Sequence, residues 1–157
     1  MIELFHGGCS RFDCINLDEC RNHRDFGKGF YLTPNQEHAM ERAVFKGRIY
    51  GKHPVVMNFI FDDDAATADG LKILDFGNGG QEWAEFVFNN REEENYTSDW
   101  DIVIGPIADD GLRDKLLKVK RGELPVAQLS TEIKYYQITK QYCFRTEQSL
   151  KYLKKRL

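Results

Sequence analysis

The sequence predicts an α+β fold, and three observations carry this prediction. Short apolar stretches bounded by Gly, Asn, Asp or Pro recur along the 157 residues and are typical of β-strands. Longer stretches with apolar residues at helical spacing lie between some of them. Strands and helices do not alternate regularly, as they do in a parallel βαβ sheet. The length suits one compact domain, so we expect residues 1–157 to form a single domain.

Six stretches are predicted to be strands. The first leads into His6-Gly7-Gly8, and the second follows a polar, irregular loop over residues 9–25. A loop of this length in a compact domain is often functional. The stretch DIVI is expected to be a buried strand that stops at Gly105-Pro106. The predicted strands cover residues 1–5, 29–32, 54–61, 71–76, 101–104 and 136–144.

The first helix is predicted from its capping residues. Thr33 is expected to be the N-cap, with Pro34 at the first helical position and Gln36 completing a capping box. The helix is expected to end near Gly47 or Gly51. Its apolar positions at helical spacing are Ala39, Met40, Ala43 and Val44.

The remaining helices are placed by the same kinds of signal. Trp83, Phe86 and Val87 have the spacing of the inward face of a helix, and core packing explains them without a ligand. The run Asp62-Asp63-Asp64 is predicted to be a solvated turn. The predicted helices cover residues 81–90, run from Asp109 or Asp110 to Lys120, run from Pro125 to about Tyr135, and follow Thr146 with the basic residues Lys151, Lys154, Lys155 and Arg156 on a surface helix.

Charge and composition narrow the classes of function. The net charge of −3 supplies no overall positive field for binding nucleic acid. No apolar run of about 18 residues is present, so we expect no membrane span, and the N-terminus does not resemble a secretory signal. We therefore expect a cytoplasmic protein. The cysteines, at positions 9, 14, 20 and 143, form no C-x-x-C pair, so we expect reduced thiols and no metal site.

Two local features suggest chemistry. The first is His6-Gly7 at the end of the first strand, and the second is Gly27-Lys28-Gly29 followed by Phe30-Tyr31. The Gly-x-Gly lacks a third glycine and enters a strand and not a helix. It therefore differs from the βαβ dinucleotide fingerprint and from a P-loop.

Together these features suggest a pocket for a flat cationic ring beside a ribose, as needed to cleave the nicotinamide–ribose bond of NAD. The backbone of Gly7 could hold the nicotinamide amide, Tyr31 could stack on the ring, and His6 could hydrogen-bond the ribose hydroxyls. The segment Gly27 to Tyr31, including Gly29 and Phe30, would form the rest of the NAD site, because glycine allows backbone to approach a ligand closely.

Three blocks, LFHGG, RDFGKGFYLT and KQYCF, resemble the conserved blocks of the ADP-ribosyltransferase superfamily, on the side of diphtheria toxin and the poly(ADP-ribose) polymerases. A closer resemblance is to a bacterial family of domains of unknown function assigned to that superfamily. It extends over FGKGFYLT, EWAEFV with the following NNR, DIVIGPIADD and QYCFRTEQSLKYL, and so over nearly the whole chain. The resemblance implies a split β-sandwich with peripheral helices and NAD, the substrate, in the cleft between two facing sheets.

The resemblance assigns His6, Tyr31 and Gln141 to the three catalytic blocks. Glutamine stands at position 141 where the polymerase-like enzymes keep glutamate. A neutral amide can position the ribose, but it stabilises developing positive charge far less than a carboxylate. This departure argues against polymer synthesis and leaves single transfer, with a carboxylate elsewhere standing in for the glutamate. The candidate stand-ins are Glu82, Glu85 and Glu147. Glu82 and Glu85 could also be the solvated face of their helix.

The function implied is mono-ADP-ribosyl transfer from NAD to an acceptor macromolecule, and a protein is favoured over a nucleic acid as the acceptor. The resemblance also suggests the toxin of a bacterial toxin–antitoxin pair, with an antitoxin protein as its partner. Two alternatives stay open. One is an NAD glycohydrolase, and the other is a catalytically silent module that binds NAD, ADP-ribose or a partner. Arg91, near the end of its helix, could reach an NAD phosphate or interact with the helix dipole.

Overall fold

Seven strands form two sheets in the computed structural model of the protein, which describes residues 1–108, 111–132 and 135–156. They are β1 (Ile2–Gly8), β2 (Phe30–Leu32), β3 (Val55–Phe61), β4 (Ile73–Asp75), β5 (Ile102–Ala108), β6 (Tyr135–Phe144) and β7 (Leu153–Lys155). The first sheet has the order β1-β3-β7, and the second has the order β2-β6-β5-β4. All neighbouring strands are antiparallel except β4 and β5. The α+β class predicted from the sequence is confirmed.

Helices flank the two sheets. They are α1 (Gln36–Tyr50), α2 (Asp63–Ala68), α3 (Gln81–Glu92), α4 (Leu112–Lys120), α5 (Leu129–Glu132) and α6 (Glu147–Leu150), with short 3-10 turns at Leu17–Glu19 and Val126–Gln128. Among these described helices, none is long and apolar enough to cross a membrane.

Two apolar cores hold the layers together. The first lies between the sheets, where Phe61 of β3 packs edge-on against Phe144 of β6 with the ring centroids 5.0 Å apart. The second lies between the other face of the second sheet and helices α3, α4 and α5, and it includes the fully buried Trp83 and Phe26. Helix α1 packs on β1 and β3 and covers the outer face of the first sheet. The predicted burial of Trp83, Phe86 and Val87 is confirmed.

The two sheets meet where β1 passes β2. Phe5 and Thr33 exchange both backbone hydrogen bonds, at 2.8 and 3.0 Å, and form an isolated bridge. Continuing this antiparallel register would place Gly7 opposite Tyr31, yet the described pairing between the strands stops at the bridge. The described backbone pairing therefore ends just where the two predicted NAD-binding segments face each other, and a gap in the ladder follows.

The predicted cap of the first helix is wrong. Asn35 is the N-cap, and its side chain accepts from the backbone N–H of His38. Thr33 is held in the bridge to Phe5, and its hydroxyl donates to the Lys140 carbonyl, so it cannot begin the helix. The helix ends at Tyr50, before Gly51 in the left-handed conformation (φ 62°).

Three other boundaries differ from the prediction. The first strand runs on to Gly8, so His6 and Gly7 lie inside it. Asp62 is not in a solvated turn, because its side chain caps α2 by accepting from the Ala65 N–H. Strand β5 continues through Gly105 and Pro106, and its bulge comes after Pro106.

The C-terminal predictions are corrected in the same way. Thr146 does cap a helix, as predicted, but the helix is a single turn. The basic tail then forms β7 and not a surface helix, because Leu153 packs into the core between the sheets. The helix predicted from Pro125 to about Tyr135 ends at Glu132, since Tyr135 begins β6. The predicted capping residues Asp109 and Asp110 lie outside the described residues.

Gly7 is required by the packing of α1 on β1. A Cβ atom at this position would lie 2.0 Å from the backbone oxygen of Ala39. We expect Gly7→Ala to lower the free energy of unfolding by at least about 2 kcal/mol, because no rotamer change relieves a clash with backbone. Urea unfolding followed by circular dichroism measures this effect.

Gly8→Ala is the matched control, because a Cβ there would meet the His6 ring at 3.4 Å, an ordinary contact distance. If Gly7→Ala and Gly8→Ala unfolded at the same urea concentration as the wild type, this account of helix packing would be wrong.

Candidate functional site

His6 lies in β1 and faces the core between the sheets. Its ring stacks on Phe30 with centroids 4.5 Å apart and meets the edge of Phe12 at 5.9 Å. Nδ1 lies 2.8 Å from the carbonyl oxygen of Tyr31. A carbonyl only accepts, so in the neutral ring Nδ1 carries the proton and Nε2 is an acceptor. Nε2 lies beside Gly8 at the end of β1, 3.4 Å from where a Cβ would be.

The environment keeps the His6 ring uncharged. Burial is the largest influence and lowers the pKa of His6 to about 4. The hydrogen bond to the Tyr31 carbonyl acts in the opposite direction, and the positive charge of Lys46 lowers the pKa further. At neutral pH the ring can therefore accept a hydrogen bond from a ligand hydroxyl through Nε2.

Gly7 turns its backbone groups away from β3. Phe5 bonds to Thr33 on the other edge of β1, and alternate residues of a strand direct their backbone groups to the same edge. The Gly7 carbonyl accepts from Nζ of Lys46 at 2.9 Å on that edge, which agrees with this orientation. The Gly7 N–H and a second lone pair of its carbonyl therefore face the gap between β1 and β2.

Tyr31 places its side chain on the opposite face of β2 from Phe30. Its hydroxyl donates to the Gly27 carbonyl at 2.7 Å and accepts from the Phe26 N–H at 3.0 Å. Burial raises the pKa of Tyr31 well above its ordinary value, so the phenol stays protonated. The Phe26 ring lies roughly parallel to the Tyr31 ring at 6.4 Å. A ligand that stacks on Tyr31 must therefore use the ring face that Phe26 leaves uncovered.

The neighbouring residues of this block have structural roles. Phe30 is buried between the sheets against His6. Gly27 has a φ of +79°, and a Cβ there would meet the Asn90 side chain at 2.7 Å. Gly29 approaches β6, where a Cβ would lie 2.5 Å from Sγ of Cys143. Turn geometry and packing thus account for both glycines.

Gln141 joins a buried polar network that the sequence did not reveal. Its Nε2 donates to Oδ2 of Asp25 at 2.8 Å and also approaches the Pro106 carbonyl at 3.4 Å. Oδ1 of Asp25 accepts from Nε of Arg91 at 2.7 Å. Because Asp25 and Pro106 offer only acceptors, they fix the Gln141 amide with Nε2 towards them and Oε1 directed elsewhere.

The structure brings the predicted residues together in two groups. Gln141 and Tyr31 share one face of the second sheet, since Tyr31 pairs with Cys143 and Gln141 lies two residues before it. The His6 ring lies on the other face of β2, beside Phe30, and reaches Tyr31 only through its backbone carbonyl. The two groups meet at the free edge of β2.

The described contacts bring Asp25, and not the predicted stand-ins, to Gln141. Glu85 accepts from Gln81 on its own helix, Glu82 is exposed, and Glu147 is exposed in the first turn of α6. Arg91 forms an ion pair with Asp25. Positions 25 and 141 are 116 residues apart, and no local pattern in one sequence pairs them.

A metal site does not emerge from the described residues, which contain no group of three or more His, Cys, Asp or Glu side chains able to hold an ion. The four cysteines are free. Burial raises the pKa of Cys143 to about 12, so this thiol is protonated and unreactive at neutral pH.

An open groove of about 560 Å³ runs beside Lys28 and Gly29, and its other walls include Trp100 and Arg145.

Comparison with known proteins identifies the family. A family model described as a protein of unknown function, DUF3990, matches residues 2–155. The chain belongs to the DUF3990 family. The sequence resemblance to a family of domains of unknown function is confirmed at this level. No curated protein and no solved structure matches the chain.

The pKa of His6 makes stability depend on pH. The folded-state pKa, about 4, lies below the ordinary value of 6.5, so protons favour the unfolded chain. We expect the contribution of His6 to be full above pH 6.5 and to be lost as the pH falls from 6.5 to 4. His6→Gln should therefore reduce the loss of stability over this range, as measured by urea unfolding at several pH values.

The exposed His53 provides the control, and His53→Gln should leave the pH dependence unchanged. The His6 ring can also be titrated directly by NMR. A midpoint near 6.5 would contradict the buried, neutral ring described above.

Proposed function

We propose that the protein is an NAD-dependent mono-ADP-ribosyltransferase with the split β-sandwich of that superfamily. The sequence blocks around His6, Tyr31 and Gln141 support the superfamily. The two-sheet architecture with a shared apolar core is compatible with a split β-sandwich. The observation that carries the proposal is the end of the described backbone pairing of β1 and β2 at the Phe5–Thr33 bridge.

The gap between the strands suits a carboxamide. The nicotinamide amide has an NH₂ donor and a carbonyl acceptor, and a strand edge offers the complementary N–H and C=O pair. Gly7 turns that pair towards the gap. The amide would extend the ladder for one step in the place that Tyr31 does not fill, and its ring would then lie near the side chains of β2.

His6 is suited to bind a ribose hydroxyl. Its Nδ1 proton is fixed by the Tyr31 carbonyl, and the uncharged ring leaves Nε2 as an acceptor at the end of β1. Gln141 is suited to a second hydroxyl, since its Oε1 is directed away from Asp25. The carboxylate of Asp25 would supply the negative charge that Gln141 lacks, one hydrogen bond away.

In the proposed reaction the bond between ribose C1′ and the nicotinamide nitrogen breaks. Its electron pair stays on the ring, which leaves as neutral nicotinamide. A nucleophilic side chain of an acceptor protein bonds to C1′ and loses a proton to solvent or a base. With Gln141 in place of glutamate, the site favours one transfer and not repeated elongation. We extend the proposal to the toxin of a bacterial toxin–antitoxin pair acting in the cytoplasm, with an antitoxin protein as partner.

There are two alternatives to transfer, and a structural observation favours the second. Water could replace the acceptor, which makes the protein an NAD glycohydrolase with the same binding site. The pairing of Asp25 with both Arg91 and Gln141 reduces its available negative charge, which favours a silent module that binds NAD or ADP-ribose.

The test is to incubate the purified protein with NAD labelled in its adenylate part, with and without a bacterial lysate. We expect nicotinamide release together with labelled protein, and we expect His6→Asn to lower both rates about tenfold or more, the usual effect of losing one positioned hydrogen bond. His53→Asn, at an exposed position, should match the wild type.

The outcomes separate the alternatives. Nicotinamide release without labelled protein indicates a glycohydrolase. NAD binding by calorimetry without nicotinamide release indicates a silent module. Absence of NAD binding by the folded protein would overturn the proposed function altogether.

A further inference from the structure

A row of side chains on one face of α1, two of them cationic, includes Lys46, which contacts Gly7 at the gap between β1 and β2. Arg42, Lys46 and Tyr50 are spaced four residues apart and so lie on one face of α1. Arg21, from the long loop after β1, donates a hydrogen bond to the hydroxyl of Tyr50. This contact brings the loop against the end of α1, one helical turn from Lys46.

Lys46 connects this row to the gap. Its Nζ is partly buried and donates to the Gly7 carbonyl at 2.9 Å, which leaves two further N–H donors. Burial lowers the pKa of Lys46, and the positive charges of Arg42, Arg24 and Arg21 lower it further. The three arginine charges therefore all act on the Lys46 ammonium group and disfavour its charged form.

Arg24, whose charge acts on Lys46, belongs to the turn that precedes β2. Its carbonyl accepts from the Gly27 N–H at 3.0 Å, and the next residue, Asp25, directs its carboxylate towards Gln141. Arg24 itself is partly buried. Two consecutive residues of the turn thus differ in charge and environment. The positive charge of Arg24 acts on Lys46, and the negative charge of Asp25 lies inside the second core.

The ion pairs of the described residues leave Arg21, Arg24 and Lys46 without a carboxylate partner. The charges of Lys28 and Lys46 lower the pKa of the Cys20 thiol, and the charge of Glu19 raises it. The Glu19 carboxylate accepts a hydrogen bond from the Asn16 side chain. A chain of net charge −3 therefore concentrates positive charge at the edge of the proposed NAD site.

We infer that Arg21, Arg24 and Lys46 bind the diphosphate of a dinucleotide whose nicotinamide end lies at Gly7. The inference rests on the proposed function for the identity of the ligand. Guanidinium groups present paired N–H donors that match phosphate oxygens, and an anion relieves the repulsion of Lys46 by the arginines. The ligand then runs from the Gly7 carbonyl along α1 towards Tyr50.

The test is calorimetry of the full chain with inorganic pyrophosphate, ADP-ribose, NAD and nicotinamide. We expect Lys46→Met and Arg24→Gln each to weaken pyrophosphate and ADP-ribose binding about tenfold or more, the effect of losing one charge-assisted hydrogen bond, and we expect Arg24→Gln to leave nicotinamide binding nearly unchanged. Lys118→Met, at an exposed position of α4 beyond both sheets, is the matched control and should bind all four ligands as the wild type does.

Lys46→Arg keeps the charge and should restore binding of pyrophosphate, which separates a lost charge from a disturbed fold. Wild-type protein that binds neither pyrophosphate nor ADP-ribose, or variants that bind both as well as the wild type, would overturn the inference. If pyrophosphate binds with the expected dependence on Lys46 and Arg24 while NAD and nicotinamide do not bind, the anion site stands and the proposed function fails. If NAD binds with no dependence on these residues, the proposed function stands and the anion site fails.

Discussion

The backbone bridge between Phe5 and Thr33 is the constraint on which the candidate site depends. It joins the edge of the first sheet to the edge of the second and keeps the two strands in register for one residue pair. Beyond it the described backbone pairing ends, and the side chain of His6 reaches the Tyr31 carbonyl in place of a backbone N–H. A gap lined by backbone groups follows directly from this geometry, and Gly7 allows α1 to close its outer side.

The charged side chains on the two sides of the gap differ in whether they have partners of opposite charge. On one side, within the described residues, Lys46, Arg21 and Arg24 form no ion pair with a carboxylate. On the other side Asp25 is buried but satisfied by Arg91 and Gln141, as a buried charge must be. The turn from Arg24 to Gly27 carries a residue of each side, Arg24 and Asp25. The hydrogen bond within the turn and the bond from the Tyr31 hydroxyl to the Gly27 carbonyl hold it against β2.

Local patterns in the sequence predicted the parts of the fold that local physics decides. The apolar spacing of Trp83, Phe86 and Val87 predicted a helix and its buried face. Thr33 misled the prediction because tertiary contacts with Phe5 and Lys140 used it for strand bridging. The basic tail was wrongly predicted to be a surface helix. The helix after Thr146 is only one turn long, and the chain beyond it forms a strand because Leu153 packs between the sheets.

The sequence blocks predicted His6, Gly7 and Tyr31 as neighbours, and in the structure the His6 ring bonds to the Tyr31 carbonyl and Gly7 follows His6 in β1. It could not predict Asp25 or Lys46 as members of the site. Both enter through contacts between distant segments, Asp25 with β6 and Lys46 with the end of β1. Gln141 as a departure from glutamate was visible in the sequence, but the carboxylate beside it was not.

The central claim is that nicotinamide binds the backbone of β1 and β2 where their described pairing ends. It can be tested most directly by ¹⁵N–¹H NMR of the labelled protein titrated with nicotinamide. The account predicts saturable shifts of the Gly7 and Tyr31 amide signals, with smaller changes at Gly70 and Gly122, which lie just after helices α2 and α4. Unchanged Gly7 and Tyr31 signals at saturating nicotinamide, or shifts confined to another part of the molecule, would contradict it.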